Sequence, residues 1–255
     1  MKRTNTIKTR FKYIEKIHGF YKGELTIVGG RPGVGKTSFI TNIIEDALFF
    51  KNQKKNVLLF SLELKSEAML AEMIRSRSKE VGSKELLDDN NILKGSLAKR
   101  NYVAEEFKKS NIYIDHTCNF SVGEINEKAR KLNEKLRSKN KKLDLIAVDY
   151  LQLLRGGKEF ETRELETKDI LKKLKILAIE LEVPVIITAQ VDRNLLVMEC
   201  PTIEDYADFI IRIEDYSIYM KSKCMFFRMM KHNVDDIVLP MKFIRKYRCF
   251  EHIEI

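Results

Sequence analysis

Residues 30–37 have the types and the spacing of a loop that binds phosphate groups, because they fit the pattern G-x-x-x-x-G-K-[ST]. The run and the residue after it are Gly30, Arg31, Pro32, Gly33, Val34, Gly35, Lys36, Thr37 and Ser38. The glycines allow backbone N–H groups to turn inward around an anion. Lys36 can hold an ammonium against the outer phosphates, and the Thr37 hydroxyl can bind magnesium. The run predicts binding of ATP with Mg2+; a glycine turn without a ligand is the alternative.

The segments on either side of this loop favour the ligand-binding interpretation. The apolar run at 24–28 predicts a strand that leads into the loop, and residues 38–50 predict a helix that leaves it. The positive N-terminal end of such a helix would face the phosphates.

Three further polar residues lie within three positions of the end of a short apolar run. Ligands bind beyond the carboxyl ends of strands in an open parallel sheet. Asp149 can hold magnesium through the water shell of the ion. Glu63 can deprotonate the attacking water, or it can be a partner of a helix dipole. Gln190 can hydrogen-bond the terminal phosphate and respond to its loss, or it can be a solvated amide.

The elements that must position these residues alternate along the chain. Short apolar runs typical of strands buried on both faces lie at 25–28, 57–60, 112–114, 145–148 and 185–188. Helical patterns lie between them, and Ser121 with Glu124 forms a capping box. The alternation predicts an α/β fold with a mostly parallel central sheet flanked by helices.

Four late runs, at 209–213, 224–230, 239–244 and 250–255, predict an antiparallel C-terminal extension of that sheet. We expect a single domain over residues 1–255, with a basic, partly helical lead-in segment at 1–20.

The composition narrows the class of protein. The formal net charge of +10 favours an acidic partner such as nucleic acid, although a merely soluble basic surface explains it equally well. The four cysteines and four histidines are scattered and do not have the spacing of a zinc or redox motif. There is no apolar run near the ~18 residues of a membrane span, and no signal-peptide pattern. We expect a cytoplasmic protein that does not act in a membrane.

Four segments, in this order, resemble the ATPase domain of DnaB-type replicative helicases, within the RecA-like superfamily of P-loop NTPases. They read GRPGVGKTSF at 30–39, FSLEL at 60–64, VDYLQLL at 148–154 and VPVIITAQVDR at 183–193. The phosphate loop is common to many ATPases, whereas FSLE followed by DYLQL is far more specific. The likeness extends over roughly residues 9–255.

The resemblance implies a RecA-like fold and a role for each motif. Lys36 and Thr37 would bind phosphate and magnesium, and Asp149 would be the second acid on the magnesium side. Glu63 would activate water, and Gln190 would sense the γ-phosphate. Family members form homo-oligomeric rings, typically hexamers, around single-stranded DNA. Each subunit sends a lysine and an arginine finger into its neighbour's ATP site.

The finger segment departs from the family pattern K-x-R-x-G. Lys231 keeps the lysine place, and Asn233 stands where the arginine is expected. A neutral amide cannot supply the charge of an arginine finger, which accelerates hydrolysis by about 10³–10⁵. The arginines that are candidates to replace it are Arg228, Arg245 and Arg248.

Two other departures concern DNA contact and assembly. The family's DNA-contacting loop after Gln190 is short here, which places DNA contact on Arg155, Lys158 and Arg193. An ordinary mobile loop is the alternative for residues 155–158. The chain also begins almost at the ATPase core, so we expect weaker rings, rings that need ATP or DNA, or dependence on a replication partner protein.

Three functions remain open from the sequence. The first is a compact DnaB-like helicase, an ATP-driven translocase on single-stranded DNA. The second is a RecA-like ATPase without unwinding activity, such as a switch, loader or recombination accessory. The third is a nucleotide-gated DNA-binding scaffold without useful catalysis.

Overall fold

The computed structural model describes residues 5–80, 87–88, 91–92, 96–117, 120–192, 200, 203–215, 224–231 and 234–253. The strands are β1 (Asn5–Ile7), β2 (Phe20–Tyr21), β3 (Leu25–Gly30), β4 (Val57–Ser61), β5 (Leu87–Asp88), β6 (Asn91–Ile92), β7 (Ile112–Asp115), β8 (Leu145–Asp149), β9 (Val185–Gln190), β10 (Phe209–Asp215), β11 (Cys224–Lys231), β12 (Val234–Ile244) and β13 (Cys249–His252). The α-helices are α1 (Lys12–Ile17), α2 (Lys36–Phe49), α3 (Ser66–Glu80), α4 (Ser96–Lys108), α5 (Val122–Arg137) and α6 (Arg163–Leu181).

A nine-stranded sheet forms the centre, in the order β13-β12-β11-β10-β3-β9-β8-β4-β7. The strands from β10 to β7 pair in parallel, and β11, β12 and β13 continue the sheet in antiparallel fashion. The predicted α/β fold with an antiparallel extension is therefore confirmed. One detail differs, because β10 pairs in parallel with β3 and the antiparallel part begins one strand later than the change of pattern at residue 209 suggests.

Each strand of the parallel part is longer than its apolar run. Ser61, Asp115, Asp149 and Gln190 continue the strands because hydrogen bonding of the backbone does not require an apolar side chain. In the extension, β12 begins earlier than predicted, at Val234, and β13 ends at His252 rather than at residue 255.

The sheet carries a hydrophobic core on each face. Helices α2 and α3 cover one face, where Phe39 packs against Phe227 and Phe250. Helices α5 and α6 cover the other, where Leu171 and Leu174 lie among the core residues. Since both faces are covered, every residue of β3, β4 and β8 is buried, as the continuous apolar runs predict.

The predicted capping box at the start of α5 is confirmed. The Glu124 backbone N–H donates to Ser121 Oγ at 3.2 Å, and the Ser121 N–H donates to Glu124 Oε2 at 2.8 Å. Most of the predicted lead-in segment is described and is partly helical, with α1 following β1. Arg10 holds it to α2 through two hydrogen bonds of 2.8 Å to the Asp46 carboxylate.

No α-helix in the described part of the chain is long and apolar enough to cross a membrane. The single-domain organisation and the cytoplasmic location stay predictions.

Candidate nucleotide-binding site

A cavity of about 340 Å³ opens where β3, β4, β8 and β9 end, at the carboxyl edge of the parallel strands. The residues that line it are Pro32, Gly33, Gly35, Lys36, Thr37, Ser38, Glu63, Leu64, Glu72, Asp149, Tyr150, Gln190 and Arg248. The phosphate loop and the three predicted strand-end residues therefore share one cavity. Parallel strands bring their ends to one edge, although these residues are up to 160 positions apart in the chain (190 − 30).

The remaining loop residues are not part of this lining. Gly30 ends β3, Val34 belongs to the hydrophobic core, and the Arg31 carbonyl accepts a hydrogen bond of 3.1 Å from Lys36 Nζ. The loop thus uses its own backbone to hold the lysine that faces the cavity.

Gly35 is required at the point where the loop enters α2. Its φ of 100° lies in the left-handed region, which favours glycine. A Cβ atom there would lie 2.9 Å from Phe250 Cζ and 3.1 Å from Phe243 Cζ. The Phe243 and Phe250 rings stack with centroids 4.4 Å apart. The antiparallel extension therefore supports the phosphate loop directly.

Lys36 carries the charge of the loop in a half-buried position. Burial lowers the pKa of its ammonium, and the nearby carboxylates of Asp149 and Glu63 act in the opposite direction. The two acids thus help to keep Lys36 protonated while it waits for an anionic ligand.

Asp149 is buried, with 1% of its surface exposed, and two hydroxyl groups hold its carboxylate. Thr37 Oγ1 donates to Asp149 Oδ2 at 2.9 Å, and the Thr188 hydroxyl donates to Oδ1. The pKa of Asp149 is raised overall, because the effect of burial exceeds the opposing effects of these two hydrogen bonds and of the Lys36 charge. A hydroxyl and a carboxylate beside the phosphate loop are the hard oxygen ligands that Mg2+ prefers, so this pair fits the ion.

Glu63 is exposed within the cavity, on the turn that follows β4. Two hydrogen bonds shape that turn. The Leu62 N–H donates to the Asp149 carbonyl at 2.8 Å, and Ser61 Oγ donates to the Leu64 carbonyl at 2.6 Å. These bonds fix the backbone on both sides of Glu63, whose side chain lines the cavity and is exposed to solvent.

Gln190 lines the cavity at the end of β9, and its backbone is held by Gln152. The Gln190 N–H donates to Gln152 Oε1 at 3.0 Å, and Gln152 Nε2 donates to the Gln190 carbonyl at 3.3 Å. The main chain of Gln190 is therefore fixed beside the cavity, and the role of its side-chain amide stays a prediction.

Lys231 lies on β11, at the end of the strand that is remote from the phosphate loop. Phe227 pairs with Ile213, and Ile213 pairs with Gly30 at the phosphate-loop edge. Lys231 is four residues further along β11, roughly 13 Å away at about 3.3 Å per strand residue. Its backbone therefore lies well away from the cavity of its own chain. Asn233 lies outside the described residues.

Two of the predicted DNA-contacting residues, Arg155 and Lys158, are exposed on a loop that follows β8. The backbone at Arg155 is anchored, because its N–H donates to the Phe120 carbonyl at 3.1 Å and its carbonyl accepts from the Val122 N–H at 2.8 Å. Arg193 lies outside the described residues.

The cavity also contains residues that the motifs do not predict. Arg248 and Glu72 line it together, with Arg248 Nε 3.1 Å from Glu72 Oε2. Of the three arginines considered from the sequence, Arg228 instead pairs with Glu214, and Arg245 lies on the rim beside the Gly33 carbonyl. Thr188, the partner of Asp149, had one signal in the sequence: it is a polar residue in an apolar run.

A model of the DnaB-like helicase C-terminal domain matches residues 6–222. The chain belongs to this family. It is 35% identical over 187 residues to the replicative DNA helicase DnaB of Buchnera aphidicola subsp. Acyrthosiphon pisum, covering 71% of this chain and 38% of that protein. It is 29% identical to the replicative DNA helicase DnaB of Geobacillus stearothermophilus, covering 97% and 57%.

The matched part of the chain thus spans 38% and 57% of the length of these two relatives. A DnaB-like replicative helicase whose structure was solved in a study of its interactions with primase has the same fold. The TM-score is 0.81, with 23% identity over 98% of this chain and 63% of that one. The predicted DnaB-type family and RecA-like fold are therefore confirmed.

Proposed function

We propose that this chain is an ATP-driven motor that moves along single-stranded DNA, a DnaB-like replicative helicase. One observation carries the proposal: the phosphate loop, Glu63, Asp149 and Gln190 meet in one cavity. Hydrolysis of ATP needs positive charge on the phosphates and a group that orients and deprotonates water. A motor also needs a residue that responds when the terminal phosphate leaves. The cavity contains a candidate for each task.

Lys36 and the start of α2 bind the phosphates. The Lys36 ammonium supplies charge, and the first backbone N–H groups of α2 point toward the anion because no earlier turn of the helix accepts their hydrogen bonds. The Arg31 carbonyl orients the ammonium before ATP arrives.

Thr37 and Asp149 would hold a magnesium ion, which would supply positive charge against the phosphates. Because burial raises the pKa of Asp149, a proton competes with the metal for its carboxylate. The affinity for Mg–ATP is therefore expected to fall as the pH is lowered toward that raised pKa.

Glu63 accepts a proton from the attacking water, and the Gln190 side chain donates a hydrogen bond to the terminal phosphate. Glu63 suits this role because it is exposed inside the cavity, where a water molecule can reach it. Loss of the terminal phosphate would remove the hydrogen bond to Gln190 and allow the end of β9 to change position.

The position of Lys231 supports assembly into a homo-oligomeric ring, which we propose to be a hexamer like those of the family. The backbone of Lys231 lies at the end of β11 remote from its own phosphate loop, which favours a role for this lysine at the ATP site of another subunit. Single-stranded DNA would contact the exposed Arg155 and Lys158, together with Arg193. Replication proteins are expected as further partners.

The test measures the rate of ATP hydrolysis with and without single-stranded DNA, the mass in solution, and unwinding of forked DNA. We expect DNA-stimulated hydrolysis and unwinding, both abolished by Lys36→Ala. Lys131→Ala removes an exposed lysine on α5 that pairs with Glu127 of the same helix, and it is the matched control. Unwinding that persists in Lys36→Ala would reject the proposal.

A second candidate function rests on Asn233, which replaces the finger arginine. A RecA-like ATPase without unwinding activity would hydrolyse ATP slowly, because the transition state lacks that charge. Slow turnover without strand separation in the same assays would favour this candidate over the helicase.

A further inference from the structure

Gln152 is the residue through which the end of β9 is joined to the loop after β8. It lies in the short 3-10 turn Leu151–Leu153, between Asp149 and the basic residues Arg155 and Lys158. Its side chain hydrogen-bonds both main-chain groups of Gln190, accepting from the N–H at 3.0 Å and donating to the carbonyl at 3.3 Å. A displacement of Gln190 must therefore move Gln152 or break both bonds.

The main chain of Gln152 is held in turn by Arg163, at the start of α6. Arg163 Nη2 donates to the Gln152 carbonyl at 3.0 Å, and Arg163 Nη1 donates to the Leu154 carbonyl at 2.9 Å and to Glu166 Oε2 at 2.6 Å. The other oxygen of Glu166 accepts the Gly156 N–H at 2.7 Å. A continuous series of hydrogen bonds thus runs from Gln190 to Gly156.

The charge of the Glu166 carboxylate strengthens the hydrogen bonds at the Gly156 end of this series. Burial raises the pKa of Glu166, but the Gly156 N–H, the Arg163 hydrogen bond and the Arg163 charge lower it, with a net decrease. Glu166 is therefore ionised, and hydrogen bonds to a charged group are about twice as strong as neutral ones.

The loop at Gly156 has little room to move independently of α6. A Cβ atom on Gly156 would overlap the Phe160 ring, and Lys173 Nζ, from the middle of α6, lies 3.4 Å from the Gly156 carbonyl. The backbone that carries Arg155 and Lys158 is consequently tied to α6 and, through Gln152, to the end of β9.

We propose that Gln152 is a positioning residue that makes the affinity for single-stranded DNA depend on the nucleotide in the cavity. The inference rests on the proposed function. When Gln190 engages a terminal phosphate, Gln152 follows it and sets the position of the loop with Arg155 and Lys158. Linkage requires that DNA in turn changes the affinity for ATP by the same factor.

Gln53 offers a matched control. It also makes a reciprocal pair of main-chain hydrogen bonds, accepting from the Lys8 N–H at 2.9 Å and donating to the Lys8 carbonyl at 2.6 Å, but it lies outside the cavity. Gln53→Leu and Gln152→Leu therefore remove the same kind of contact at two places.

The experiment measures Kd for a fluorescent oligodeoxythymidine at fixed salt, with Mg2+ and either a non-hydrolysable ATP analogue or ADP. For the unmodified protein and for Gln53→Leu, we expect the two Kd values to differ by about 5- to 150-fold, the usual range of allosteric coupling. For Gln152→Leu we expect the ratio to fall to within about twofold of unity. A ratio that survives in Gln152→Leu, or a ratio of unity in the unmodified protein, overturns the inference.

Glu166→Gln tests the Gly156 end of the series. If Gln152→Leu does not fold, the ratio of Kd values in Glu166→Gln is the test of the inference. We expect it to reduce the ratio as well, and the double variant to reduce it no further, because both residues belong to one series of bonds. Additive losses would overturn the inference. Failure of the unmodified protein to bind ATP or DNA at all would instead reject the proposed function itself.

Discussion

The parallel and antiparallel parts of the sheet contribute to the ATP site in different ways. The parallel strands β3, β4, β8 and β9 end at the cavity, and each delivers one functional segment to it. The antiparallel strands deliver Arg248 to the same cavity and place aromatic rings under Gly35, while Lys231 lies at the far edge. The parallel part thus forms the reaction site of its own chain, and the antiparallel part supports it and is available to a neighbour.

Among single substitutions outside the phosphate loop, the largest effect is expected from Glu63→Gln, in the parallel part. The amide keeps the shape of the side chain but cannot accept a proton from water, so kcat for ATP hydrolysis should fall by about 10²–10⁴. ATP binding measured by calorimetry should remain. Glu67→Gln, in the first turn of α3 and outside the cavity, is the control. Undiminished hydrolysis in Glu63→Gln would show that another group activates water.

Lys231→Ala tests whether the antiparallel part serves a neighbouring subunit. Loss of this cation should lower kcat by about 10²–10³, the range found when one group that stabilises the transition state is removed. The informative measurement mixes Lys231→Ala with Lys36→Ala, each nearly inactive alone. Activity should reappear, because some interfaces combine an intact phosphate loop with an intact Lys231. A mixture as inactive as its parts would contradict a site shared between subunits.

Asn42 tests how firmly the two parts are joined. It lies on α2, fully buried, and accepts the Phe250 N–H at 3.0 Å while donating to the Arg248 carbonyl at 3.2 Å. Asn42→Ala leaves these buried groups without their partner, which should lower the free energy of unfolding by about 1–3 kcal/mol. Urea unfolding measures this; Asn101→Ala, at an exposed position within α4, should not lower it, because alanine is a better helix former than asparagine. An equal loss of unfolding free energy in both variants would show that the hydrogen bonds of Asn42 do not join α2 to the antiparallel part.

Arg248→Ala is expected to have the smallest effect and tests what the antiparallel part adds to binding. Its guanidinium lines the cavity, so its loss should raise KM for ATP about tenfold, worth ~1.4 kcal/mol. The value of kcat should change little. Arg130 is the control, because its side chain is equally exposed, at 42%, and also pairs with a glutamate. An unchanged KM would limit Arg248 to a structural ion pair with Glu72.

The predictability of the site follows the same division. The residues that were predictable each lie in a short motif or within three positions of the end of an apolar run, where local sequence sets the backbone: Lys36, Thr37, Glu63, Asp149 and Gln190. Arg248 was not, since it precedes a short antiparallel strand and nothing local distinguishes it from Arg228 or Arg245. Gln152 lay within a recognised motif, but its hydrogen bonds to Gln190 cross 38 residues of sequence.

The sequence by itself determined the fold class, the order of the strands along the chain, the phosphate loop and the family. These depend on periodicity and on contiguous motifs, which report local backbone geometry. The tertiary structure decided which arginine reaches the cavity, that Thr188 holds Asp149, that Gly35 rests on Phe250, and that Lys231 lies at the opposite edge. Those facts depend on strand pairing and register between distant segments, and one residue of register changes which side chains face each other.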